Sequence, residues 1–375
     1  PKCYEGLETL KVMGENTYVP IKFGLRNLKE ELLPRGKLPR EFVADGPLNV
    51  LWTRQVLGDY IAHAKKHGLV SACKIGINPH GADWHLLRQF IFRNGEKCNK
   101  IGGDIGGCDV SIPPVFGYIM ACHINKWYRY VEGTPEWNEL YACCLSIFQN
   151  YRIRGSCVYY VGRGHPSGHY LTGFVNSLVI YVVHKYAFLL KYPKATFTEW
   201  KKAVRLAVYG DDNIGSVDDD HKEYDMLWLK KVFNECFGMN YTTPDKGEVV
   251  APFLTDEEVT FLGRRFVKFE GMWHGLLGDE SIYGMLLWLK QAPDMDEQLQ
   301  INLFMAQLEA FHGGCEFYES FQHDLSCKCA ERGVPIRLVP FEYFNSRYRK
   351  TSWGCDLSFN LKEWIEDLDA SIFSA

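Results

Sequence analysis

The chain has 375 residues, 46% of them hydrophobic and 14% aromatic, with a formal net charge of −4. That content can bury a large core, excludes a disordered or low-complexity chain, and at this length divides into about two or three subdomains. The acidic balance excludes a uniformly basic nucleic-acid coat, since phosphate contacts dominate such affinity, and leaves room only for a locally basic channel.

In chain order, Pro1-Lys-Cys has no initiator Met and reads as a piece of a longer polypeptide. Lys22, Arg26, Lys29, Arg35, Lys37 and Arg40 then crowd one segment against Glu30 and Glu31, which makes it the candidate basic channel. A helical pattern covers residues 49–66, and Lys74-Ile-Gly-Ile-Asn78-Pro-His-Gly is a loop. A short apolar run reaches Asp104 and Asp109, and Ser111-Ile-Pro-Pro114 opens a helix. The apolar stripe from Val175 to Leu190 predicts a core helix, interrupted by His184 and Lys185 and too short to span a bilayer. Thr172 and Asn176 project from the beginning of that stripe, where buried polar groups need partners. Val204–Tyr209 and Asp212–Val217 read as strands joined by a primed hairpin turn, Gly210 at its first central position and Asp211 at its second. A helix over 224–237 stopped by Gly238 follows, then strands to about Phe269. From Ser281 onward the chain reads as helices over 282–290, 296–311, 317–331 and 361–368. Thirteen cysteines without a Cys-x-x-Cys pair fit a reducing environment. The cluster His312, Cys315, His323, Cys327 and Cys329 matches no usual zinc spacing.

The chemistry centres on Gly210-Asp211-Asp212. Two adjacent carboxylates at a hairpin tip repel each other unless a positive charge sits beside them, and a divalent cation is the usual partner in phosphate chemistry. A solvated Asp-Asp turn is the plain alternative. Its company is Asp104-x4-Asp109 upstream and, between the two sites, Ser167-Gly168-x3-Thr172-x3-Asn176-Ser177. This order, type and spacing resembles motifs A, B and C in the palm of viral RNA-dependent RNA polymerases, of the picornavirus-like kind. Leu28-Lys29-Glu30-Glu31-Leu32 with the basic residues after it is similar to motif F, Tyr241-Thr-Thr-Pro244-Asp-Lys246 to motif D, and Phe261-Leu-Gly-Arg264-Arg265 to motif E.

The resemblance implies a role for each residue. Asp104 and Asp211, with Asp212 assisting, would hold two Mg²⁺ (or Mn²⁺) ions. Asp109 would meet the ribose of the incoming nucleotide in a network with Asn176 and Thr172, which favours RNA over DNA because the 2′-hydroxyl both donates and accepts. Ser167 and Gly168 would form a turn that shifts as template and nucleotide enter. Lys29, Lys37 and Arg40 would clamp the triphosphate, Lys246 would protonate the departing pyrophosphate, and Gly210, Arg264 and Arg265 would border the primer and template.

The implied fold is α+β: a right hand with partial fingers over 1–95, an antiparallel-sheet palm with a ferredoxin-like core over 96–269, a fingers insertion around 131–163, and a helical thumb over 270–375. Family members carry on the order of a hundred or more further residues before motif F, so the resemblance implies either an N-terminally cut fragment or a fingers region part of which is absent. The implied partners are RNA template and primer, NTPs, a small protein primer and other viral replication proteins, at membrane-associated complexes in the host cytoplasm. A reverse transcriptase-like palm and a non-catalytic RNA-binding scaffold are the competing readings.

Overall fold

A computed structural model describes residues 2–16, 23–28, 41–68, 71–93, 97–148 and 150–350. The first part holds α1 (Lys2–Glu15), β1 (Phe23–Leu28), β2 (Glu41–Ala44), α2 (Pro47–Lys66) and α3 (Asp83–Ile91). Next come β3 (Asn99–Gly106), the single turn α4 (Cys108–Ser111), α5 (Val115–Tyr128), α6 (Pro135–Phe148), β4 (Asn150–Arg154) and β5 (Cys157–Val161). The middle is α7 (Thr172–Lys191), α8 (Phe197–Ala203), β6 (Val204–Tyr209), β7 (Asp212–Val217), α9 (Met226–Phe237) and β8 (Asn240–Thr242). The last part is β9 (Thr260–Phe261), β10 (Arg264–Phe269), β11 (Met272–Leu277), α10 (Asp279–Gly284), α11 (Met295–Phe311), α12 (Cys315–Glu331) and α13 (Phe341–Lys350).

The central sheet runs β6-β7-β3-β8 and is antiparallel throughout. In chain order β3, β6, β7 and β8 take the places 1, 2, 3 and 4 of a split βαβ arrangement, with α7 and α9 packed beneath, which is the ferredoxin-like core. Gly103 faces Asn213 across β3 and β7, and a Cβ there would stand 2.5 Å from the Thr242 carbonyl of β8. The glycines before Asp104 thus let β8 close onto β3. A second sheet, β2-β1-β4-β5, brings residues 150–161 beside the N-terminal strands, β1 and β4 running parallel.

Helix α7 carries the predicted stripe, with Val175, Val179 and Val183 buried against the sheet. It corrects one expectation: starting at Thr172 it reaches 20 residues, so by length and composition it could cross a membrane, but 61% of its apolar window is buried. A core helix under a sheet meets the same apolar demand as a membrane span. A further correction falls on 282–290, where α10 ends at Gly284 and Leu287 and Trp288 lie exposed instead of continuing a helix. The predicted helix at 361–368 lies outside the described residues.

Residues 276–348 form their own core around Phe304, Phe311, Phe344 and Tyr348. A buried joint fixes this unit to the rest. Arg264 of β10 donates to both carboxylate oxygens of Glu309 on α11, at 2.6 and 2.7 Å, and to the Gly275 carbonyl at 2.8 Å. Beside the pair, His80 Nδ1 lies 3.2 Å from His312 Nε2, and His312 Nδ1 lies 3.4 Å from His274 Nδ1. Burial holds all three imidazoles below their ordinary pKa, and the contacts need them neutral, each with one nitrogen donating.

Candidate active site

Strands β6 and β7 pair in register up to Tyr209 opposite Asp212, leaving Gly210 and Asp211 as a two-residue turn. Gly210 alone has positive φ, +64°, as a type II′ turn requires of its first central residue. The turn is held from below: the Gly210 N–H donates to Ser177 Oγ at 2.8 Å, and that hydroxyl donates to the Gly173 carbonyl at 2.7 Å. Ser177 is fully buried one turn along α7 from Gly173, so the helix bearing the Thr172–Asn176 pair also carries the support of the Asp-Asp tip.

Behind the tip a second set of bonds aligns β7 with β3. Buried Asn213 donates to the Gly103 carbonyl at 2.9 Å and accepts from the Tyr241 hydroxyl at 3.2 Å. His184 Nε2 lies 3.2 Å from the same Asn213 oxygen, while its Nδ1 meets the Tyr224 hydroxyl at 2.7 Å. Burial lowers the His184 pKa to about 3, so it stays neutral with Nε2–H as donor. His184 and Asn213 were invisible as site residues in the sequence, where the first only interrupts an apolar stripe.

Asp104 closes β3 opposite Thr242 and is 5% exposed. Burial and then the Asp211 carboxylate raise its pKa, with Lys246 opposing them. Asp212 is pushed up to about 7 by burial, then by Asp211 and Asp104. Buried Cys108 also feels Asp211, Asp109 and Asp104, which together with its burial hold the thiol protonated. The three predicted carboxylates therefore converge from two strands and a turn into one field of negative charge. Among the described residues the one trio with ligand atoms all within 4.8 Å of one another is His80, Glu309 and His312, so the aspartates stand further apart than that. Like charges repel at close range, and a cation held by Asp104, Asp211 and Asp212 would offset that repulsion. Hard anionic oxygens, partly desolvated and repelling one another, fit a hard divalent cation. The His80 trio fits one poorly, because Arg264 already neutralises Glu309 and a cation would leave excess buried positive charge.

Lys246 is the counter-charge present. It sits in a tight turn with φ +67°, its side chain 72% exposed and its Nζ 3.7 Å from Asp104 Oδ2. Its N–H donates to the Thr243 carbonyl at 2.8 Å, and the Thr243 hydroxyl donates to Asp245.

The loop before α7 differs in detail from expectation. Asn176 is engaged not by Asp109 but by buried His165, whose Nε2 lies 2.6 Å from Asn176 Oδ1. Thr172 turns its hydroxyl to the His169 and Ser167 carbonyls, at 2.8 and 3.0 Å, and so closes its own turn. The physical reason is local: both are buried or half-buried polar groups, and the loop backbone satisfies them. Asp109 joins through the main chain, its carbonyl accepting the His165 N–H at 2.8 Å. Gly164, with φ +75°, is needed there, since a Cβ would stand 2.2 Å from that same carbonyl. Ser167 is half-buried, and the Gly168 N–H donates to the Val43 carbonyl of β2 at 3.0 Å, so this turn is clamped to the N-terminal sheet.

Of the remaining predicted residues, Arg264 is corrected: buried against Glu309, it has no free donor face for primer or template. Arg265 points the other way, its side chain 55% exposed and 4.0 Å from Asp279. Lys29, Lys37 and Arg40 lie outside the described residues. Of the Cys/His cluster, His323 and Cys327 pair at 3.9 Å, while His312 belongs to the buried joint.

The sequence model of the viral RNA-dependent RNA polymerase family matches residues 45–331. The chain is 25% identical over 365 residues to the genome polyprotein of rice tungro spherical virus, covering 93% of this chain and 10% of that polyprotein. It is 28% identical over 271 residues to the RNA1 polyprotein of Satsuma dwarf virus (70% and 13%), and 26% identical over 295 residues to the genome polyprotein of human hepatitis A virus genotype IIA (78% and 12%). The chain thus spans about a tenth of the length of the curated relatives it matches. The solved structure of a Sicinivirus 3Dpol RNA dependent RNA polymerase superposes with a TM-score of 0.73 at 20% identity, covering 93% of this chain and 70% of that one, a likeness of fold.

Proposed function

The chain belongs to the viral RNA-dependent RNA polymerase family, and from that premise we propose that it joins nucleoside monophosphates from NTPs to an RNA 3′ end on an RNA template. The observation that carries this reading is the convergence of Asp104, Asp211 and Asp212 from β3 and the β6–β7 turn, where, beyond burial, Asp211 raises the charge cost of Asp104 and both raise that of Asp212. The family uses divalent ions, and we take Mg²⁺ as the ion these oxygens would hold. Bound there, paired cations supply Lewis acidity to the attacking 3′-hydroxyl and to the triphosphate.

The residues' own work follows from their places. Asp104 and Asp211 hold the charge that positions the phosphates, and Asp212 sits beside them at the start of β7. Lys246 is exposed and on a mobile stem 3.7 Å from Asp104, a suitable proton donor to a leaving pyrophosphate. Asp109 and the His165–Asn176 pair border the ribose position. In that reading Asn176 is preset by His165, and its amide nitrogen serves the 2′-hydroxyl. Arg265 offers a cation to the primer backbone. Lys29, Lys37 and Arg40 would meet the triphosphate, and template RNA, a small protein primer and other viral replication proteins are the expected partners at membrane-associated complexes in the host cytoplasm.

The test is primer extension on an annealed RNA template with Asp211→Ala. The variant should fold as the parent does and lose NMP incorporation. Undiminished extension would take the Asp-Asp turn out of the mechanism.

A further inference from the structure

Away from the carboxylates, a cavity of about 410 Å³ opens between α2, α5, α7 and α8. Its size is that of a small-molecule site. Tyr60, His63, Trp127 and Phe174 form one side. Trp127 is 39% exposed, and the His63 ring lies 5.4 Å from it at 39°. Phe197, 44% exposed, and Lys201 line it as well. No carboxylate lines this cavity.

Its charge is one-sided. The ammonium groups of Lys185 and Lys201 stand 4.2 and 4.7 Å from the Phe197 ring centre, on an otherwise uncovered aromatic. Lys126 belongs to the same cluster: it and Lys201 depress the Lys185 pKa after burial does, and Lys126 and Lys185 depress that of His123, again after burial. Among the described residues none of the three lysines forms an ion pair with a carboxylate. Two ammonium groups beside an exposed aromatic ring, with no carboxylate paired to either, call for a ligand with a planar π-face and several negative charges.

We propose that this cavity is a second nucleotide site, taking a ribonucleoside triphosphate with its base against Trp127 and His63 and its phosphates at the Phe197 rim, on Lys201 and the neighbouring Lys185. It differs from the catalytic site in needing no divalent cation, because lysines and not aspartates face the phosphates. It also touches the catalytic machinery. Ser177, itself buried, lies in the cavity wall, and its hydroxyl holds the Gly210 N–H at 2.8 Å, so the wall an occupant meets includes the support of the Asp-Asp turn.

Equilibrium dialysis with radiolabelled ATP in EDTA tests this on the whole chain. Without divalent ions the converging aspartates repel a triphosphate, so the catalytic site does not compete. The expected result is saturable binding of a single ATP per chain, weakened at least tenfold by Lys201→Glu and by Trp127→Ala. Both test side chains are exposed, and melting curves verify the folded state; Lys201→Glu decides the matter even if Trp127→Ala unfolds. Absence of saturable binding in EDTA overturns the proposal, as does loss of binding in Asp211→Asn with retention in Lys201→Glu. Competition by tripolyphosphate as strong as by ATP would overturn it equally, showing an anion patch with no base recognition.

Discussion

Replacing Ser177 by Ala removes one oxygen and leaves the Cβ, so no packing is lost and the effect isolates the hydrogen bonds. The lost contacts are the Gly210 N–H donation at 2.8 Å and the bond to Gly173 at 2.7 Å. The second loss is mild, because the Gly173 carbonyl lies within the ladder of α7. The first leaves a buried N–H unsatisfied, at a cost of about 1–3 kcal/mol. Against a total stability on the order of 5–15 kcal/mol this lowers Tm by a few degrees. The turn relieves the penalty by shifting toward water, and Asp211 shifts with it. A misplacement near 1 Å costs up to about 10²-fold in rate. Steady-state primer extension should therefore show kcat reduced about 10- to 100-fold with KM for NTP near that of the parent, since Ser177 is buried beneath the turn and acts through its placement. Parental kcat together with parental Tm would refute the claim that this hydroxyl positions the turn.

The remaining predictions concern charge. Asp212 has a folded pKa of about 7 against 3.8 unfolded, so the folded protein keeps a proton that the unfolded chain releases; stability falls as pH rises from about 4 to about 7 and the penalty is complete above that. In EDTA, the Tm advantage of Asp212→Asn over the parent should widen across that window and shrink on adding Mg²⁺; a constant difference would contradict it. Glu309→Ala strands Arg264 without its buried partner and should cost about 3–5 kcal/mol in denaturant unfolding, read at the midpoint. A loss below about 1 kcal/mol would mean that water or another acceptor reaches Arg264.

The parts of the fold with strong periodicity were legible in the sequence. The stripe over 175–190 follows from its spacing, and the 204–217 hairpin and the helix ended by Gly238 follow from spacing and a single punctuating glycine. The hairpin was legible because Gly-Asp fixes its turn geometry. What resisted reading were contacts between segments distant in sequence. Nothing in the local pattern says that Asn176 meets His165 rather than Asp109, or that Ser177 supports a turn 33 residues on. Arg264 and Arg265 look alike in sequence, yet strand alternation turns the first into the core and the second outward. The 282–290 segment has apolar residues at helical density, and Gly284 with Pro293 beyond it cuts the helix short.

The bond from Gly168 to Val43, with the parallel bridge between Gly168 and Ala44, makes the N-terminal hairpin a lever. Its strands pair antiparallel from Leu25 opposite Ala44 to Leu28 opposite Glu41, so β2 is joined to β1 and to the loop before α7 at once. A displacement of either strand is passed to the segment that leads into Thr172 and Asn176 through main chain alone.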